Sequence, residues 1–354
     1  MDERHADRMR QAVLLGNPKT KRTLHLKKAM RDQGAPIEFW DWETFWREKS
    51  LPKGWEQKEL FLKIDPPVWT SCCLEELGGL TSNYETFLEQ LEILGEREHI
   101  RFLNSPQAIL QLLDKKGCKK VLKNREIPVT ETLEGDISDG EHLLMAMAHY
   151  DMFQVFIKPV KGSGAAGIAA FRYQKRTGNM TLYTCGMEDP QTGRLVNTKR
   201  LRRFTDREQV MAFLNRLLSL DCIVERWYAK AQHQGFSYDL RAVVQDGQTD
   251  FMLARLSKGP VTNLHLNNHP LKASELGLTV STVEEIEELC KRAAGSFQGL
   301  RSVGIDILLE KGSFKPRVIE MNGQGDLIYQ DIYDKNSIYQ HQAKMIKRWL
   351  CGRQ

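Results

Sequence analysis

Three oxygen-bearing side chains in the last sixth of the sequence could hold a metal ion. Asp306 lies inside the apolar run 303–309, and Glu320 and Asn322 lie inside the run 317–322. Because side chains alternate along a strand, Glu320 and Asn322 share one face. A connecting loop with an odd number of residues puts Asp306 on that face, and an even number puts it on the other. Two carboxylates and an amide oxygen suit Mg²⁺ that bridges nucleotide phosphates, whereas a single buried acid can be purely structural.

A glycine-rich segment in the middle of the chain follows an apolar strand predicted at 154–160. Residues 162–167 have the pattern GxGxxG, which in a dinucleotide site opens a helix. Here an apolar and aromatic run, 168–173, follows without a helix cap, so we expect a second strand and a lid over phosphates. The glycines would let backbone N–H groups approach phosphate oxygens closely, although a flexible hairpin turn is the simpler alternative. The residues expected to contact phosphate are Gly162, Ser163, Gly164 and Gly167.

Lys158 lies inside the strand that precedes this segment. A lysine in an apolar strand is costly to bury without an anionic partner, and a phosphate group would be such a partner. The alternative is a lysine at the exposed edge of a strand.

Composition restricts the class of protein. The chain has 354 residues, 41% of them hydrophobic, and a net charge of +5. It contains no apolar run of about 20 residues, and its N-terminal apolar stretch is too short for a signal peptide. The seven cysteines form no CxxC pair, so we expect reduced thiols and a cytoplasmic location. Membrane, secreted, collagenous and disordered classes are excluded, and the dispersed basic residues make a nucleic-acid partner the least expected.

The order of predicted elements suggests two kinds of structure. A strand at 11–15, a helix at 20–33 and a strand at 36–41 indicate a small α/β domain. A helical region follows at 83–123, and Ser105 is expected to cap the part that begins at Pro106.

From residue 153 onward the sequence has short apolar strands separated by Gly, Lys and Asp, which indicates an α+β unit with antiparallel pairs. Within it, the segment 281–284 has the pattern of a capping box that starts a helix. The apolar stripe expected on that helix is Val283, Ile286, Leu289, Cys290 and Ala294.

The whole series of motifs resembles the ATP-grasp superfamily, and most of all the branch that contains ribosomal-protein glutamate ligases and glutathione synthetases. The resemblance covers roughly 105–325. It implies that Lys115, in the step Asp114-Lys115 before Pro128, is the first phosphate lysine, with Lys116 as a rival. Lys158 resembles the second phosphate lysine.

The resemblance assigns roles to the remaining polar residues as well. Arg255 matches the arginine that faces the γ-phosphate and, with Lys158, would be catalytic. The adenine-edge segment corresponds to Glu225, Arg226 and Trp227, with the backbone of the last two contacting the base. The other matched positions are Asp239 and Arg241 in an Asp-x-Arg strand, Asn263 near the metal, and Asp306, Glu320 and Asn322 as magnesium ligands. Val224 replaces the usual glutamine before Glu225, and 323–326 departs from relatives where they contact substrate.

The resemblance implies a domain division and a chemistry. We expect an N-terminal α/β domain at 1–105, a central ATP-grasp lobe with the lid at 106–222, and a C-terminal lobe with the metal site at 223–354. ATP and Mg²⁺ would be held between the two ATP-grasp lobes. The implied reaction joins a carboxylate to an amine or related nucleophile through an acyl phosphate. A small-molecule kinase and a non-catalytic ATP-binding regulatory protein remain alternatives.

The substrates themselves stay open at this point. They could be small-molecule acids and amines or a peptide or protein tail, and no membrane partner is expected. Related enzymes often form dimers or tetramers, so a homo-oligomer is also an open expectation.

Overall fold

A computed structural model describes residues 9–68, 70–162, 165–266, 268–324 and 336–352. Within these ranges the strands form three sheets, and helices pack against each of them. The predicted change from an α/β beginning to an antiparallel α+β remainder is therefore present. The fold class expected from the sequence, a mixture of α/β and α+β, is confirmed.

The first sheet is parallel, with strand order β2-β1-β3-β4. The elements of this part are β1 (Arg10–Gly16), α1 (Lys21–Asp32), β2 (Glu38–Asp41), α2 (Trp42–Glu48), β3 (Glu59–Ile64), α3 (Leu74–Arg97) and β4 (Arg101–Phe102). Helix α1 begins after Thr20, whose hydroxyl accepts a hydrogen bond from the Thr23 N–H at 3.2 Å, as a good N-cap does. The apolar faces of β1 and β3 are buried on both sides, as is usual for parallel strands.

The second sheet is antiparallel, with order β8-β7-β6-β5-β9. The elements that precede or form it are α4 (Pro106–Leu113), α5 (Lys115–Asn124), α6 (Gly140–His149), β5 (Gln154–Pro159), β6 (Ala169–Tyr173), β7 (Met180–Glu188), β8 (Leu195–Phe204), α7 (Arg207–Leu218) and β9 (Cys222–Arg226). Ser105 caps α4 as predicted, since its hydroxyl accepts from the Ala108 N–H at 3.1 Å. Helices α6 and α7 contribute Leu143, Met147 and Leu214 to the core beneath this sheet.

The third sheet is also antiparallel, with order β13-β12-β11-β14-β15 and β10 paired to β11. Its elements are β10 (Gln232–His233), β11 (Phe236–Gln245), β12 (Gln248–Ser257), β13 (His269–Lys272), α8 (Val280–Gly295), β14 (Ser302–Leu309) and β15 (Pro316–Asn322). Helix α8 buries Ile286, Leu289 and Cys290 against the sheet, as the apolar stripe predicted.

The predicted start of α8 is wrong by two residues. The N-cap is Thr279, whose hydroxyl accepts from the Thr282 N–H at 3.2 Å, so Ser281 lies inside the first turn. Hydroxyl residues at 279, 281 and 282 are all chemically able to cap, and the local sequence does not choose among them.

The last helix, α9 (Ser337–Leu350), packs against the first sheet. Tyr339, Ala343 and Ile346 share a buried cluster with Leu14 and Leu26 of β1 and α1. The division into units at 105 and 222 stays a prediction. Strand β9 nevertheless belongs to the second sheet, and α9 lies far along the chain from the sheet that it covers.

None of the described helices is long and apolar enough to span a membrane.

Candidate active site

The strand register brings the three candidate metal ligands to one face of the third sheet. Asp306 of β14 lies directly opposite Glu320 of β15, and Gly304 lies opposite Asn322. Residues opposite each other on antiparallel strands point to the same side, so Asp306 shares the face of Glu320 and Asn322. The connecting loop, 310–315, has an even number of residues, and a register shift between Asp306 and Ile307 brings Asp306 to that face, so the predicted dependence on an odd loop is wrong. All three side chains line one large cleft.

Asp306 is held by two arginines. It is 7% exposed, and its carboxylate accepts from Arg241 Nε and from Arg255 Nη2, the latter at 3.1 Å. Burial alone would raise the pKa of Asp306, but the two guanidinium groups outweigh it and lower that pKa to about 2. Asp306 therefore stays ionised at neutral pH.

Glu320 and Asn322 supply side-chain oxygens to the same face of the cleft. Within the described residues neither side chain has a hydrogen bond or ion pair, although both are partly buried beside the charged cluster. Carboxylate and amide oxygens are ligands that Mg²⁺ prefers. Among the described residues, no group of three His, Cys, Asp or Glu side chains is placed to hold a metal ion. A metal site here therefore needs the Asn322 amide oxygen as its third ligand. The donor set fits a magnesium ion on chemical grounds.

Arg255 is fixed in place by a buried carboxylate on the neighbouring strand. Asp239 lies opposite it in the β11–β12 register, and the guanidinium donates through Nε at 2.7 Å and through Nη2 at 2.9 Å. Such two-pronged pairs restrain orientation as well as charge. Although burial opposes it, the pKa of Arg255 is raised by Asp239 and Asp306, which keeps the guanidinium protonated. Lys230 and Thr262 also contact Asp239.

Lys158 lies on β5 and shares a carboxylate with a second lysine. Its ammonium donates to Glu225 Oε2 at 3.0 Å, while Lys119 Nζ lies 3.0 Å from Glu225 Oε1. Thr130 donates to the same carboxylate at 2.9 Å. Burial would raise the pKa of Glu225, but the two ammonium groups lower it to about 2, so a negative charge is buried between two positive ones.

Lys115 lies at the start of α5 and reaches the base of the glycine-rich loop. Its ammonium donates to the Val160 and Gly162 carbonyl oxygens, both at 2.9 Å. Burial lowers the pKa of Lys115, with Glu320 opposing that effect. The adjacent Lys116 instead forms an exposed ion pair with Asp221, so of the two rivals only Lys115 faces the cavity.

The glycine-rich loop joins β5 to β6 as an antiparallel hairpin and does not open a helix. Gly162 and Gly167 have φ of 143° and 68°, in the region that favours glycine. A Cβ on Gly167 would also lie 2.9 Å from Leu74 Cδ1. Both the backbone conformation and the packing therefore favour glycine at this position. Ser163 and Gly164 lie outside the described residues.

The two backbone N–H groups of the predicted adenine edge are both hydrogen-bonded within the protein. The N–H of Arg226 donates to the Glu131 carbonyl at 2.8 Å, and that of Trp227 donates to the Gln154 carbonyl at 2.9 Å. These two N–H groups are therefore not available to a base. Glu225, expected as an acid of this edge, points its carboxylate at Lys119 and Lys158 instead.

These side chains surround a cavity beneath the hairpin loop. Its apolar wall includes Phe156, Ile168 and Leu308, and its charged wall includes Lys158 and Arg255. A larger cleft of about 820 Å³ shares Lys115, Arg255, Asp306 and Glu320 with this cavity and extends to α1. The cluster contains six cations and four carboxylates, which are Lys115, Lys119, Lys158, Lys230, Arg241, Arg255, Glu225, Asp239, Asp306 and Glu320. The resulting excess of positive charge suits an anionic ligand.

Sequence reasoning missed several members of this cluster, namely Lys119, Thr130, Lys230 and Thr262. Lys119 had a detectable signal, because it follows Lys115 by four residues and so lies on the same face of a helix. Lys230 and the two threonines follow or lie between short strands, where no periodicity marks them.

Sequence comparison finds no relative: no protein-family profile and no curated protein matches the chain. Solved structures do match. The D-cycloserine synthetase DcsG is 14% identical with a TM-score of 0.61, over 95% of this chain and 99% of that one. The ATP-grasp ligase PsnB, solved with a minimal precursor, is 16% identical with a TM-score of 0.58, over 95% and 99%. The macrocyclase MdnC from Microcystis aeruginosa MRC, bound to its precursor peptide MdnA, is 12% identical with a TM-score of 0.58, over 96% and 100%.

At these identities the likeness concerns the fold, and it extends over nearly the whole length of each chain. The chain has the ATP-grasp fold, as the order of its motifs predicted.

Proposed function

We propose that this protein is an ATP- and Mg²⁺-dependent ligase that activates a carboxylate as an acyl phosphate and joins it to an amine or related nucleophile. The observation that carries the proposal is the convergence of Lys115, Lys158, Arg255, Asp306 and Glu320 on one cavity beneath a glycine hairpin. Nucleotide binding alone does not require an arginine held in a fixed orientation beside free metal-ligand oxygens.

The cations would act on the charge of the transferring phosphoryl group. Lys115 comes from α5, Lys158 from β5 and Arg255 from β12, with the orientation of Arg255 set by Asp239. Arg255 would also stabilise the oxyanion that forms when the nucleophile attacks the acyl phosphate. Positioning and fixed charge dominate such reactions, and no covalent attachment to the protein is needed.

Asp306, Glu320 and Asn322 would hold the magnesium ion, which when bound withdraws charge from the phosphoryl oxygens. The unpaired oxygens of Glu320 and Asn322 support this assignment. The negative charge of Asp306 is already balanced by two arginines. We therefore propose that Asp306 mainly fixes the position of the magnesium ion, and that Glu320 supplies most of the negative charge that attracts it.

The large cleft beside the nucleotide cavity would accept the carboxylate and the nucleophile. Its volume of about 820 Å³ lies within the roughly 300 to 1,000 Å³ that is common for small-ligand pockets. Two of the matched enzymes, PsnB and MdnC, were solved with precursor peptides and a third is a D-cycloserine synthetase, so both a peptide tail and small substrates fit the proposal. All seven cysteines are free thiols, which supports a cytoplasmic location.

A trapping experiment tests the proposed reaction. The purified protein is incubated with Mg-ATP, hydroxylamine and a panel of carboxylic acids that includes acidic peptides. The ligase proposal predicts that an accepted acid gives ADP and hydroxamate in equal amounts, because hydroxylamine attacks the acyl phosphate. Omission of Mg²⁺ is the control, and it should abolish both products.

The two alternatives give different results in the same assay. A kinase would give ADP and a stable phosphorylated product without hydroxamate. A non-catalytic nucleotide-binding protein would bind ATP and release no ADP with any acid. Either result would contradict the ligase proposal.

A further inference from the structure

Lys119 is a buried cation that the proposed chemistry does not use directly. It lies on α5, one turn after Lys115, and is 5% exposed. Lys115 and Lys158 line the cavity beneath the hairpin loop, whereas Lys119 lines only a smaller space next to them. A buried ammonium is costly, so a position of this kind calls for an explanation.

The ammonium group of Lys119 contacts Glu225 and Thr130, whose hydroxyl is itself hydrogen-bonded to Glu225. Its ammonium lies 3.0 Å from Glu225 Oε1 and also donates to the Thr130 hydroxyl and, at 3.3 Å, to the Thr130 carbonyl. The other carboxylate oxygen, Oε2, accepts from Lys158 at 3.0 Å. Glu225 is 2% exposed, so water does not screen these charges effectively.

The arrangement divides one buried negative charge between two ammonium groups. Without Lys119, the whole charge of Glu225 would attract Lys158, which would then be held against the carboxylate. With Lys119 present, Lys158 uses one of its three N–H donors to bind Glu225, and its positive charge remains available to a ligand in the cavity. The pKa of Lys158 is raised by Glu225, Glu320 and Asp306 despite burial, so that charge is retained.

We propose that Lys119 is a positioning residue, which neutralises Glu225 so that Lys158 can bind the nucleotide phosphates. This inference rests on the proposed function, since it takes the cavity to be an ATP site. It extends that proposal by assigning a role to a lysine that does not line the proposed nucleotide cavity.

The test compares binding of Mg-ADP and of adenosine, because only the former has phosphates for Lys158. Calorimetric titrations are done on the wild type, Lys119→Met and Lys119→Arg. We expect Lys119→Met to weaken Mg-ADP binding about tenfold, which corresponds to roughly 1.4 kcal/mol, and to leave adenosine binding unchanged. Lys119→Arg, which keeps the charge, should restore most of the Mg-ADP affinity. Lys116→Met, an exposed position on the same helix, is the matched control and should behave as the wild type.

A double-mutant cycle covers the case in which Lys119→Met folds poorly with an unpaired Glu225. On the Glu225→Gln background there is no carboxylate charge to neutralise, so adding Lys119→Met should cost less than about threefold in Mg-ADP affinity. Equal losses for Mg-ADP and adenosine, or an equal cost of Lys119→Met on both backgrounds, would overturn the inference and indicate a purely structural lysine. A wild-type protein that binds no Mg-ADP would overturn the proposed function itself.

Discussion

At the scale of single residues, the candidate metal ligands differ in what they do for the folded protein. Asp306 is buried and paired with Arg241 and Arg255, so it stabilises the sheet as well as facing the cavity. Glu320 lies opposite it and is paired with none of the described residues. A side chain without protein partners contributes little to folding, which separates the effect of a ligand change from that of destabilisation.

Glu320→Gln is therefore expected to abolish ADP formation while shifting the free energy of unfolding by less than about 0.5 kcal/mol. Asp306→Asn is the comparison, and it should also lose about 3 kcal/mol of stability because it removes the carboxylate that Arg241 and Arg255 share, leaving Arg255 with Asp239 alone. Steady-state ADP release measures turnover, and denaturant titration measures the free energy of unfolding. A Glu320→Gln variant with normal turnover would exclude this magnesium site.

At the scale of elements, the hairpin between β5 and β6 is the part of the fold that encloses the nucleotide cavity. Lys115 contacts its base through two carbonyl oxygens, and Lys161 extends from it to Glu85 of α3 at 2.7 Å. The loop is therefore attached to two other elements. Its backbone conformation also depends on glycine at position 167.

Gly167→Ala is expected to lower both the melting temperature and the affinity for Mg-ADP, since the new Cβ would displace the loop against Leu74 and Pro159. Gly178→Ala is a matched control: its φ of 72° is close to the 68° of Gly167, but no atom lies within 4 Å of its ideal Cβ. The control should lose about 1 kcal/mol of stability through backbone strain alone and keep its nucleotide affinity. If both variants bind Mg-ADP equally well, the loop does not shape the site.

Much of the secondary structure could be predicted from the sequence, because it depends on local interactions. The cap of Ser105 before Pro106, the apolar stripe of α8 and the strand after the glycine segment depend on residues a few positions apart. Strand alternation predicted that Glu320 and Asn322 share a face, but the register shift that brings Asp306 to the same face was not predicted from the sequence. By contrast, the pairing of Lys119 with Glu225 joins distant segments, and the N–H partners of Arg226 and Trp227 depend on which loops pack beside β9. Such contacts have no local signature.

At the scale of the whole molecule, the buried side chain of Asn104 connects the end of the first sheet to the third sheet. Asn104 donates to the Ser302 carbonyl at 2.6 Å and accepts from the Arg301 and Ser302 N–H groups, both at 2.8 Å. It thereby joins the segment before α4 to the start of β14, the strand that carries Asp306. Helix α9 closes the first sheet from the other end of the chain. The fold thus holds cations from the second sheet and carboxylates from the third around one space.

The central claim is that the cavity beneath the hairpin loop holds a nucleoside triphosphate and magnesium. A crystal structure with a non-hydrolysable ATP analogue and Mg²⁺ tests this claim most directly. The account predicts phosphates in contact with Lys115, Lys158 and Arg255, and a magnesium ion coordinated by Asp306, Glu320 and Asn322. Phosphates bound elsewhere, or a magnesium ion that leaves Glu320 and Asn322 without a metal contact, would contradict it.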